Sequence, residues 1–131
     1  MRKIKFRAWH KPTLKMYLVD CIDFFIGGLQ LRKTPKDTFQ SDLSECKLMQ
    51  FTGLKDKNGK EIWEGDLFKC IYDFDGCTEH IMEVVYDEER AGFHLKSHGE
   101  SCHQQGVVKH IWDFKRKEVL GNVHENRELL K

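Results

Sequence analysis

The stretch from Leu48 to Cys70, LMQFTGLKDKNGKEIWEGDLFKC, constrains the fold more than any other part of the chain. Two apolar runs, Leu48–Thr52 and Leu67–Cys70, bracket a compact segment that holds Asn58-Gly59 and Glu64-Gly65-Asp66. Asn-Gly suits a tight type I′ turn, because both central positions there need φ > 0. Glu-Gly-Asp predicts a second turn, with Gly65 free to adopt unusual backbone angles and Asp66 able to bond its own main chain. Ile62 and Trp63 lie between the turns and can return large apolar side chains to the flanking strands. This pattern predicts the corner of a small β-barrel. No catalytic constellation falls within it.

With 131 residues, 33% charged and 40% hydrophobic, the chain can bury a core without covalent staples. It is expected to pack as one unit from an N-terminal β hairpin and loop, residues 1–47, and a barrel with a C-terminal tail, residues 48–131. The net charge of +1 conceals an uneven layout. Residues 1–36 carry nine Lys/Arg against Asp20 and Asp23, whereas 71–131 carry twelve Asp/Glu against eight Lys/Arg. A basic front end suits phosphate or an acidic partner, and equally a solvated strand face. The opening MRKIKF has no apolar run behind it that would make a signal peptide, and Cys21–Leu31 is too short and too interrupted to span a bilayer. Five cysteines, at 21, 46, 70, 77 and 102, form no C-x-x-C pair, as expected of reduced thiols in a cytoplasmic protein.

Along the chain, Ile4, Phe6 and Ala8 alternate with Lys3, Lys5 and Arg7, which predicts a strand with one buried face; Trp9 falls on the basic side. A turn at His10–Thr13 and a return through Met16–Val19 complete a hairpin, and Ile22–Leu31 is a third strand that ends or bulges at Gly27-Gly28. The polar segment Arg32–Lys47, with Pro35, reads as a loop with a helical turn around Ser41–Cys46. Ile81–Tyr86 is the clearest strand, stopped by the charged turn Asp87–Arg90. Val119–Val123 is a late strand, and a helical turn is expected in Glu125–Lys131. Strands about ten residues apart, with turn signals between them, favour a small barrel over a βαβ sheet.

Three segments resemble the YopX-like family of phage and prophage proteins. They are Ile4–Trp9 (IKFRAW), Gln50–Asp66 (QFTGLKDKNGKEIWEGD) and Val119–Asn126 (VLGNVHEN), in that order. His10 stands where the family often has an acid, and Arg127 where it often has Pro. The resemblance implies a mainly β protein, an SH3-like small barrel with an N-terminal β extension. It further implies a phage or prophage origin in a bacterial host cell and brings no established activity with it. Thr52-Gly53-Leu54, Glu64-Gly65-Asp66 and Gly121-Asn122 are expected to be corners and bends that fix strand register.

His94, His98, Cys102, His103 and His110 are imidazole and thiol groups that suit Zn²⁺, but their spacing fits no finger pattern, so surface histidines on a polar loop are expected and no metal or other cofactor. A nucleophilic dyad using Cys102 or Cys77 has no oriented base in view, and the carboxylates at Asp73/Asp75 and Asp87–Glu89 sit at turns; the protein is expected not to be an enzyme. The expected function is a non-catalytic protein-interaction or self-assembly module, its partner a second copy or another phage or host protein, with no membrane involved. The alternative is a nucleic-acid-binding small barrel. Arg2, Lys3, Lys5 and Arg7 interleave with aromatic Phe6 and Trp9; Lys3, Lys5, Arg7 and Trp9 are the candidate contacts, with Trp63 a further candidate.

Overall fold

A computed structural model describes residues 1–70, 80–98, 108–110 and 117–130. Eleven strands are formed among them: β1 (Phe6–His10), β2 (Lys15–Asp23), β3 (Gly28–Thr34), β4 (Asp37–Asp42), β5 (Cys46–Lys55), β6 (Glu61–Trp63), β7 (Asp66–Cys70), β8 (His80–Asp87), β9 (Gly92–His98), β10 (Val108–His110) and β11 (Gly121–Asn122). Short 3-10 turns occupy Leu43–Glu45 and Arg127–Leu130. The protein is mainly β, as the alternating patterns predict, and its strand pairs are antiparallel. No described helix is long and apolar enough to cross a membrane.

The chain divides into two compact units, Met1–Phe51 and Thr52–Lys131. In the first, the strand order is β4-β3-β2-β1-β5, so β1 is an interior strand with neighbours on both sides. Ala8, Tyr17, Leu29, Leu31 and Cys46 form its buried core, flanked by Val19, Ile22, Phe39, Leu43 and Leu48. The alternation begins two residues later than the pattern suggests, because Ile4 precedes the first paired residue and stays exposed.

Arg32–Lys47 is not the expected loop. Most of it is the end of β3, the whole of β4 and the 3-10 turn, with Pro35 at the hairpin bend. Its polarity has a physical cause: among the described residues β4 pairs only with β3, and an edge strand with few apolar side chains is protected from stray pairing. Phe39 alone supplies its aromatic contribution to the core.

In the second unit β6 ends the strand order that β5 continues, and a five-stranded sheet runs β11-β7-β8-β9-β10. Ile62, Phe68, Met82, Val84 and Leu95 are its core, with Leu54 and Val119 against them. The expected closed barrel is not formed: these are two antiparallel sheets, and no described pairing joins β10 to β11. Turn chemistry specifies hairpins, but whether a first and a last strand meet depends on side-chain volumes across the whole sheet.

Candidate interaction surface

The β2–β3 hairpin ends in an apolar tip. Asp23 Oδ1 accepts hydrogen bonds from the backbone N–H groups of Phe25 (3.0 Å) and Ile26 (3.2 Å), which closes an Asx-type turn. Gly27 follows with φ +69°, an angle that leaves glycine as the natural residue, and its carbonyl accepts from Leu43 N–H at 2.8 Å. The turn is fastened at both ends, yet Phe24, Phe25 and Ile26 are 81%, 98% and 71% exposed. Two phenyl rings and an isoleucine give on the order of 400–500 Å² of apolar surface on one turn. That is the size of the largest apolar patch on a typical monomer, and such patches are often functional.

A groove of about 410 Å³ lies beside the tip, with Cys21, Asp23, Ile26, Leu29, Asp42 and Glu45 in its lining and no Lys or Arg. The register explains its chemistry. Asp23 pairs with Gly28, and Gly28 pairs with Asp42, so two carboxylates flank a residue without a side chain. The Ile26 side chain lies against Gly28 and gives the row an apolar centre.

Below it, Ser41 Oγ donates to Glu45 Oε2 (3.2 Å) and lies 3.6 Å from Cys46 Sγ. His10 Nε2 is 3.8 Å from the same Glu45 oxygen, and His10 Nδ1 meets Thr13 Oγ1 at 2.7 Å. The imidazole stands edge-on to Tyr17 and Phe39. Burial pushes the Cys46 thiol up; the Ser41 hydrogen bond opposes this, while the Glu45 charge adds to it. A nucleophile is activated by an adjacent base. Here a carboxylate stands between hydroxyl and imidazole, and the thiol is held protonated. The cluster buttresses the strand ends.

Arg2 and Lys3 are exposed ahead of β1. Lys5 places its ammonium 4.7 Å from the centroid of the Phe51 ring, and its carbonyl accepts from Phe51 N–H. Arg7 is half-buried, paired in register with Leu18 and Met49, and Trp9 is half-buried opposite Met16 and Lys47.

The central signature is occupied with holding its own backbone. Asp56 Oδ1 accepts from Asn58 N–H and Lys60 N–H, both at 2.9 Å, and Oδ2 accepts from Val119 N–H at 3.0 Å. Burial pushes this carboxyl up, but the three amides and the Lys60 charge outweigh it and hold Asp56 below the usual carboxylate range. Gly59 N–H donates to the Asp56 carbonyl and Gly59 has φ +79°, whereas Asn58 does not share the positive φ. The expected type I′ turn is therefore a longer turn closed by Asp56, because its carboxylate supplies the acceptor that a two-residue loop would lack. Gly65 has the predicted positive φ, +83°, and Asp66 Oδ2 accepts from Trp63 N–H at 2.8 Å. Trp63 is buried. At the closing motif, Asn122 Oδ1 accepts from His124 and Glu125 N–H, while Asn126 Oδ1 accepts from Asn122 N–H.

His94 and His98 both lie on β9, where four residues separate their Cα atoms by about 13 Å, too far to share one metal ion. His98 Nε2 instead meets Glu83 Oε2 at 2.9 Å. Among the described residues no group of three or more His, Cys, Asp or Glu is placed to hold a metal. Cys77, Cys102, His103, Asp73 and Asp75 lie outside the described residues.

Two open antiparallel sheets, a signature spent on corners, and an exposed turn define a small β scaffold that carries a surface loop. The chain belongs to the YopX family: the family described as YopX protein matches residues 5–131. It is similar to the crystal structure of protein EF1440 from Enterococcus faecalis, with 26% identity, a TM-score of 0.64 and full coverage of both chains. No curated protein matches.

The tip is the feature that the pattern reading misses. Its sequence signal is Asp23 and Gly27-Gly28 bracketing three apolar residues, which reads as a bulge within one long strand until the bracketing pair is recognised as a turn.

Proposed function

We propose that this protein is a non-catalytic interaction and self-assembly module, phage- or prophage-encoded, that works in the cytoplasm of its bacterial host. The observation that carries the reading is the fastened tip, with Phe24, Phe25 and Ile26 turned to solvent. A turn already ordered in the free protein loses little entropy on docking, which favours contact through it. The order β11-β7-β8-β9-β10, a four-strand meander whose first strand takes the last beside it, supports an SH3-like lineage for the second unit.

The test is solution mass by light scattering. The wild type is expected to form an oligomer, and Phe24→Asp/Phe25→Asp to dissociate it while keeping a cooperative thermal unfolding transition, since both rings are exposed within one chain. A wild type that stays monomeric at high concentration removes self-assembly. Salt-sensitive binding of a single-stranded oligonucleotide, abolished by Lys3→Glu/Lys5→Glu/Arg7→Glu, replaces this reading with the nucleic-acid one.

A further inference from the structure

We infer that the groove beside the tip takes the segment Met1–Ile4 of a second copy of this chain. The inference rests on the self-assembly reading above and adds to the contact at the tip the groove beside it and the segment that enters that groove. The groove carries Asp23, Asp42 and Glu45 with no cation in its lining, and Ile26 stands between the first two. The segment ahead of β1 has the complementary composition: Arg2 and Lys3 are exposed, and Ile4 is 63% exposed. An acid–apolar–acid row thus faces two cations beside an apolar side chain.

The dimensions agree. Asp23 and Asp42 lie on strands separated by β3, hence about 10 Å apart. Four extended residues reach about 13 Å, and because side chains alternate along an extended segment, Arg2 and Ile4 face the row together, Arg2 toward a carboxylate and Ile4 toward Ile26, while Lys3 adds its charge from the other side. The lining charge also selects among occupants. A carboxylate-lined groove repels nucleic-acid phosphate and anionic lipid, and it attracts a basic segment. Such a contact is heterologous, one surface of a chain meeting a different surface of the next.

Two variants separate arm from groove. Asp42 makes no side-chain cap to the 3-10 turn that follows it, so Asp42→Lys removes most of the groove's negative charge, leaving Asp23 and Glu45 against one lysine, without removing a turn bond. Arg2→Glu/Lys3→Glu disables the arm and leaves the groove intact. Each variant alone is expected to sediment as a monomer in analytical ultracentrifugation. Mixed, they are expected to form a 1:1 complex, the intact arm of the first in the intact groove of the second, weakening as salt is raised. A mixture that sediments as two independent monomers overturns the inference. So does an oligomer that survives both variants but is dissociated by Phe24→Asp/Phe25→Asp, a result that leaves the interaction-module reading standing.

Discussion

One carboxylate, that of Asp56, gathers three backbone amides from two distant parts of the chain. Asparagine has nearly the same shape but presents an NH2 where one carboxylate oxygen stood, so it leaves an amide without its acceptor. Asp56→Asn is expected to cost about 1–3 kcal/mol, read from chemical denaturation. The pH dependence follows from the lowered folded value. The charge-dependent part of the stability is fully present above the ordinary Asp range, near pH 4, and is lost as pH falls through the folded value. The gap between wild type and Asp56→Asn should therefore narrow on acidification, and a gap constant down to pH 2 would contradict the assignment. Gly65, at φ +83°, offers a second measurement: Gly65→Val should lose more than about 1 kcal/mol. That glycine's role is legible in the sequence because Glu-Gly-Asp has few other uses. The role of Asp56 is not, since nothing in a linear reading tells Asp56 that its third amide lies at Val119.

Among the elements, β11 is the shortest, and its two residues are held by pairing to β7 and by the Asn122–Asn126 bonds around them. A Cβ at Gly121 would run into the Asn126 carboxamide, whose oxygen already caps Asn122 N–H. Gly121→Ala is expected to displace that cap and lower the melting temperature; an unchanged melt would show that Asn126 can move at no cost. The expected bend at Gly121-Asn122 anticipates this crowding only in kind. The strands β1, β2 and β8 are legible from alternation and β-branched content, because each has a core face. β4 hides behind its own polarity, and the tip hides because a run of apolar residues reads as strand whichever way its side chains point.

For the whole molecule, the inferred contact sets how copies accumulate. A heterologous joint closes into a ring if its rotation divides the circle, and otherwise continues as a filament. Mixing complementary variants terminates either kind at two chains. The family resemblance is legible in three segments, Ile4–Trp9, Gln50–Asp66 and Val119–Asn126, and the groove is not, since it arises where separate strands bring residues side by side. The Asp56 corner carries one further consequence, in time. Its third partner, Val119, lies 63 residues later. At about 5–20 residues per second, a ribosome needs roughly 3–13 s to supply it. During that interval the signature has been made but cannot finish folding. Ile62, Trp63 and Phe68, buried in the finished protein, await late-made strands, so a corner held by three amides in the finished fold is among the last to set in the growing chain.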